Sequence, residues 1–105
     1  MIKNKCPMRE ILKVIGGKWK PLILQELNGD IKRFGEFQRS IPEITKQMLT
    51  KSLRELESEG IVHRKVYPVV PPKVEYSLTE SGKSLIPILE LMATWGQDRL
   101  SQKSN

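Results

Sequence analysis

Cysteine, histidine and aromatic rings are scarce in this chain of 105 residues, which holds one Cys, one His and two each of Phe, Trp and Tyr. A lone Cys6 rules out a framework of intrachain disulfides, and a reducing cytoplasm is the natural compartment for such a chain. One cysteine and one histidine, His63, are too few for a structural zinc site of the common Cys/His kind. Paired carboxylates and glycine-rich phosphate loops are also missing, so neither enzyme chemistry nor a cofactor is expected. No apolar run approaches the roughly 18 residues of a membrane span, and the opening MIKNKCPMRE does not resemble a signal peptide. Repeats, low-complexity tracts and linkers are absent, and only SQKSN at the end reads as a loose tail. A single domain over residues 1–105 is expected. The shortage with most consequence is of acids: 12 Asp and Glu face 18 Lys and Arg, a net charge of +6. A small basic domain attracts polyanions, either nucleic acid or an anionic membrane surface.

Apolar spacing sets the elements. Pro7 suits the first turn of a helix in which Met8, Ile11, Leu12 and Ile15 recur at helical spacing until Gly16-Gly17 ends it. KWKPLILQELNG reads as a second helix, with Trp19, Ile23 and Leu27 on one face and Gly29 as its stop. Asp30 and Ile31 form a short extended link to RFGEFQRSI, a third helix with Phe34, Phe37 and Ile41 pointing inward. Pro42 begins a tight turn, Thr45 caps a fourth helix over about residues 45–59, and Gly60 stops it. IVHRKVY and KVEYSL read as strands around a stiff PVVPP tip, a hairpin over about residues 61–78. Thr79 caps a last helix over about residues 79–100. The expected fold is therefore mainly α with a small β-hairpin: a winged helix-turn-helix.

In TKQMLTKSLRELESEG, residues 45–60, Lys46, Lys51 and Arg54 all precede Glu55, Glu57 and Glu59. At about 100° per residue, Leu49, Leu53 and Leu56 share one side, while Gln47, Thr50, Lys51 and Arg54 share the opposite one. The N-terminal part of a recognition helix enters the major groove, where acids would face phosphates. Gln47, Thr50 and Lys51 are thus candidates for base contacts, and Thr45, Lys46 and Arg54 for phosphate contacts. Arg33 and Arg39 flank the preceding helix, which crosses the DNA backbone in such folds. Arg64, Lys65 and Lys73 place charge on the wing, for the backbone or an adjacent minor groove. A merely solvated helix shows a similar stripe, and hairpin cations also deter edge-to-edge aggregation. Cations on three separate elements, expected to converge on one plane, favour double-stranded DNA as the partner.

The last helix carries more apolar surface than one core can cover. In LIPILELMATWGQDRL the apolar side chains span an arc of about 220°, against roughly 100° or somewhat more for one buried face. The excess predicts a two-fold homodimer built on Leu85, Ile88, Leu89, Met92 and Trp95. Its two recognition helices should address half-sites about one duplex turn, or a multiple, apart in a (pseudo)palindromic operator. Pro87 should kink this helix or leave one carbonyl unpaired.

Cys6 precedes Pro7 at a helix start, with Lys3, Lys5 and Arg9 nearby, and both circumstances favour the reactive thiolate. Oxidation would give an intersubunit disulfide, a mixed disulfide with a small thiol, or a sulfenic acid. The plainer alternative is a small packing residue without chemistry.

The run CPMREILKVIGGKWKPLIL, then MLT…LRELE, PPKVEYSLT with the following Gly82, and Trp95-Gly96 resembles the HxlR-type family of bacterial transcription regulators, relatives of the MarR group. The resemblance implies a homodimeric winged-helix DNA-binding protein that dimerises through its first and last helices. It also implies that Cys6 stands where some members sense quinones, aldehydes or disulfide stress, which makes a small thiol-reactive effector a candidate partner. Glu43 departs from the pattern, since glycine is expected between Pro42 and Ile44. The function expected is a sequence-specific transcription regulator. The alternative is a winged helix that makes protein–protein contacts without reading DNA.

Overall fold

The structure is a computed structural model that describes residues 6–103. Proline cannot donate a backbone hydrogen bond, and the first turn of a helix has no use for one. Pro7 and Pro21 accordingly open α1 (Pro7–Ile15) and α2 (Lys20–Glu26). In α3 (Phe34–Ser40) the Arg33 N–H donates to the Glu36 carboxylate at 2.8 Å, satisfying a donor that the helix start leaves free. The Ile44 N–H then closes the turn onto the Ile41 carbonyl at 3.1 Å. Thr45 caps α4 (Lys46–Ser58) by accepting the Met48 N–H at 3.1 Å. Glu43 sits in this turn without strain, because among the described residues only glycines have positive φ. Gly60, at φ +75°, is one of those, and it lets the chain leave α4 for the wing.

β1 (Val62–Tyr67) and β2 (Lys73–Leu78) pair antiparallel, with Val62 opposite Leu78 and Tyr67 opposite Lys73. α5 (Glu80–Lys103) ends the described chain. Four helices, a hairpin and a final helix make a winged helix-turn-helix, mainly α as expected. The link before α3 does more than connect. Lys32 bridges to Tyr76, each N–H donating to the other's carbonyl at 3.0 and 2.8 Å. This bridge covers part of the β2 edge and ties the start of α3 to the wing. A single-residue bridge has no alternation to read, so the sequence gives no sign of it.

The core lies where α2, α3 and α4 meet the wing: Ile23, Leu24, Phe37, Leu49 and Leu56 are wholly buried. Phe37 meets Tyr76 edge-on, with ring centroids 6.1 Å apart. Thr79 holds three elements at once. Its hydroxyl accepts the Gly82 N–H at 3.0 Å and lies 2.6 Å from the Gly60 carbonyl to which it donates. α5 is divided by its burial. Gly82, Ile86 and Leu89 are buried, but beyond Leu89 nearly every side chain is exposed. At 1.5 Å per residue a 24-residue helix runs about 36 Å, so its second half projects from the body. The radius of gyration, 15.5 Å, exceeds the ~13 Å of a compact chain of this size for that reason. Among the described residues no helix is long and apolar enough to cross a membrane.

Candidate nucleic-acid interface

The two faces of α4 are chemically distinct. Leu49, Leu53 and Leu56 are at most 2% exposed, while Lys46, Gln47, Lys51 and Arg54 are open to solvent. Lys46, Gln47, Thr50, Lys51 and Arg54 line one shallow surface depression together with Glu55. Thr50 and Arg54 also line a second one, shared with Phe34 of α3, Glu57, and Arg64 and Tyr76 of the wing. Arg33 and Arg39 frame a third on α3, around Gly35 and Glu36. α4 and the wing thus contribute polar and cationic groups to two adjoining concavities, and α3 frames a third.

The acids late in α4 have a use that the charge order alone does not disclose. Glu55 meets the nearly buried Lys20 ammonium of α2 at 3.0 Å, and Glu59 lies 3.7 Å from Lys13 of α1. The hydrogen bond from Lys20 and its charge, with help from Lys51, hold the Glu55 carboxyl below the usual glutamate range. The exiting half of α4 is therefore clamped to the helices behind it, while its entering half stays free. Those partners stand far earlier in the chain, so only the fold could reveal the pairing.

The wing corrects one expectation. Directly paired residues share a face of a sheet, and successive residues alternate. Arg64 is paired with Tyr76, which is buried, so it lies on the face turned toward the helices, beside Thr50 and Arg54. Lys65 pairs with Glu75, and Tyr67 with Lys73, on the opposite face. The wing cations do not occupy a single plane: Arg64 joins the recognition helix, and Lys65 and Lys73 flank the outer side of the ribbon. Both ammonium groups lie over the Tyr67 ring, 4.8 and 4.7 Å from its centroid. The Tyr67 hydroxyl donates to Glu75 at 2.8 Å, and Lys73 is 3.5 Å from the same carboxylate. That hydroxyl, then Lys73, with Arg33 more remotely, keeps the Glu75 carboxyl below its usual range against the opposing effect of burial.

The apolar arc of α5 also resolves into two parts. Leu89, expected at a subunit interface, is 3% exposed and belongs to the core, and Leu85 packs against that core. Both are already committed within the chain because α5 must cover α2 and β2 with its first half. Ile88, Met92 and Trp95 remain 40, 50 and 66% exposed, joined by Leu91 at 73%. Met8 and Leu12 of α1 are exposed as well. Cys6 is exposed at the N-cap of α1, and its carbonyl accepts the Glu10 N–H at 3.0 Å. Lys3 and Lys5, expected beside it, fall outside the described residues.

A capped helix presenting a basic, hydrogen-bonding face next to a cationic hairpin, on this topology, is the architecture of a DNA-binding transcription regulator, which is not an enzyme. Residues 14–104 match the HxlR-like helix-turn-helix family, and the chain belongs to it. It is 56% identical over 95 residues to the HTH-type transcriptional regulator YybR of Bacillus subtilis, covering 90% of this chain and 76% of that one. An HTH-type transcriptional regulator of Methanothermobacter thermautotrophicus is 52% identical over 100 residues, or 95% of this chain and 76% of the relative. Among solved structures, the redox regulator HypR is similar in its oxidised form, with a TM-score of 0.85 and 56% identity over 89% of this chain and 96% of that one. Its reduced form gives a TM-score of 0.88 and 52% identity over 95% and 100%. YodB from B. subtilis in its reduced form gives 0.76 and 40% over 87% and 90%.

Proposed function

We propose that the chain acts as a homodimer that sets two α4 helices in major grooves of a (pseudo)palindromic operator, in the cytoplasm where the chromosome lies. The observation that carries the DNA contact is the concavity in which Thr50 and Arg54 of α4 meet Arg64 of the wing. Gln47, Thr50 and Lys51 read base edges, which carry the sequence information. Thr45, Lys46 and Arg54 hold phosphates, Arg33 and Arg39 grip the backbone beside them, and Lys65 and Lys73 reach it from the outer side of the ribbon. Dimerisation is supported by Ile88, Leu91, Met92 and Trp95, which recur at i, i+3, i+4 and i+7 on the projecting half of α5. A patch of this kind rarely stays uncovered in a soluble protein.

Cys6 is the group through which thiol-reactive electrophiles or oxidants act in this reading. Its exposure supports the role, as does the similarity to a protein described as a redox regulator and to YodB, which has also been solved after diamide treatment. Two Cys6 thiols of a dimer give up two protons and two electrons to diamide, whose N=N bond becomes N–N with two N–H groups. One Cys6–Cys6 bond forms. The deciding experiment selects a duplex from a random pool and measures affinity against salt. Neutralised phosphates make affinity fall steeply with salt, whereas a flat profile would favour the protein-contact alternative.

A further inference from the structure

The tip of the wing has no part in the contacts described so far. Residues 68–72, PVVPP, join β1 to β2, and none of them has a polar side chain. The Val69 N–H is spent on the Tyr67 carbonyl at 2.9 Å, and the prolines have no N–H to offer. Val70 is 99% exposed, so it adds nothing to the core. Half-exposed Val66 lies on the same face of β1 as Arg64 and continues the apolar surface from there toward the tip. The cations around the ribbon show where that tip can lie. Arg64 is on one face, and Lys65 and Lys73 are on the other. One duplex meets both faces together where the ribbon runs between two rows of phosphates, which is inside a groove. The concavity that Arg64 shares with Thr50 and Arg54 sets the ribbon beside α4. With α4 in the major groove, the adjoining minor groove is the one left. β1 advances about 10 Å from Arg64 to Tyr67, which carries the tip past the intervening phosphates. Below the tip, Tyr67 and Lys73 both engage Glu75 and brace the stem.

The floor of the minor groove distinguishes G·C from A·T by one donor, the guanine 2-amino group, where adenine has a bare C–H. A valine methyl packs against that C–H. Against the amino group it is obstructed, and it leaves a donor without a partner. We propose that Val70 is a specificity-determining residue, selecting A·T pairs in the minor groove beside each half-site. Apolar side chains recur as contacts in minor-groove readers. The inference rests on the operator reading above and adds a base preference that the polar stripe of α4 does not supply.

Replacing adenine by 2,6-diaminopurine tests it, because this adds the amino group to the minor groove and leaves the major-groove pattern of adenine unchanged. In the duplex selected by the full chain, adenines are replaced one at a time within and beyond each half-site, and affinity is measured by competition. Affinity should fall about tenfold at A·T pairs lying roughly five base pairs, half a duplex turn, from those that α4 reads. Val70→Gly should bind the adenine and diaminopurine duplexes alike while still discriminating at the bases read by α4. Circular dichroism checks that this variant stays folded. Selection of no duplex at all overturns the operator reading and this proposal together. A selected duplex with G·C pairs at the stated place, or one indifferent to diaminopurine there, overturns this proposal alone and assigns the tip to a protein partner instead. A penalty that survives in Val70→Gly overturns it as well.

Discussion

Glu55 shows how one side chain supports the site through a contact behind it. Its pairing with Lys20 fixes the exiting half of α4, and its carboxyl is held below the usual range by that partner. A carboxylate whose folded pKa is depressed stabilises the fold above its ordinary range, and the gain is lost as pH falls through the lowered value. Glu55→Gln should therefore melt at a lower temperature than the unaltered chain near neutrality, with the difference closing in acid; a gap independent of pH would exclude the ionic contribution. Lys51, one turn earlier on the same helix, is proposed to read bases rather than to hold phosphates. Lys51→Ala should cost about 1–3 kcal/mol on the selected duplex and less on random DNA, measured by competition binding. Cys6→Ser should abolish the effect of diamide on DNA binding, read by the same assay.

At the scale of elements, the junction of α4, wing and α5 is closely packed. A Cβ added at Gly82 would collide with the Ile61 carbonyl, whereas one added at Gly96 meets nothing within 4 Å. Both glycines lie in α5, so helix propensity favours alanine at either by about 1 kcal/mol. Thermal denaturation should show the two going opposite ways: Gly96→Ala neutral or stabilising, Gly82→Ala destabilising by about 2 kcal/mol or more, since backbone cannot give way as a side chain can. The wing shows a second principle of the same scale. Strand pairing puts Arg64 and Lys65, neighbours in sequence, on opposite faces, so a cluster of cations in the chain becomes two groups with different reach.

For the molecule as a whole, the projecting half of α5 is the feature that a lone chain does not explain. Leu91 and Met92 are exposed and outside the core, so their joint replacement by lysine should leave the fold intact by circular dichroism. It should halve the mass found in sedimentation and weaken operator binding at least tenfold, because each half-site is then held by one wing and one α4 alone. An unchanged mass would remove the proposed interface. Leu89 offers no such test, since a lysine there would bury a charge in the core and report on folding.

Local order was legible from residues alone wherever a short-range rule governs. Thr45 as a cap, Gly60 as a stop, the Leu49, Leu53 and Leu56 stripe and the hairpin around PVVPP each depend on neighbours a few residues away, and the chain determines them by itself. Charge composition, likewise, is fixed before folding. Tertiary structure alone decided what depends on residues distant in sequence: Lys20 against Glu55, Lys32 against Tyr76, Arg64 beside Arg54, and which part of the apolar arc of α5 the core takes. Periodicity names a face but not its occupant, because burial depends on which elements the packed chain brings against it.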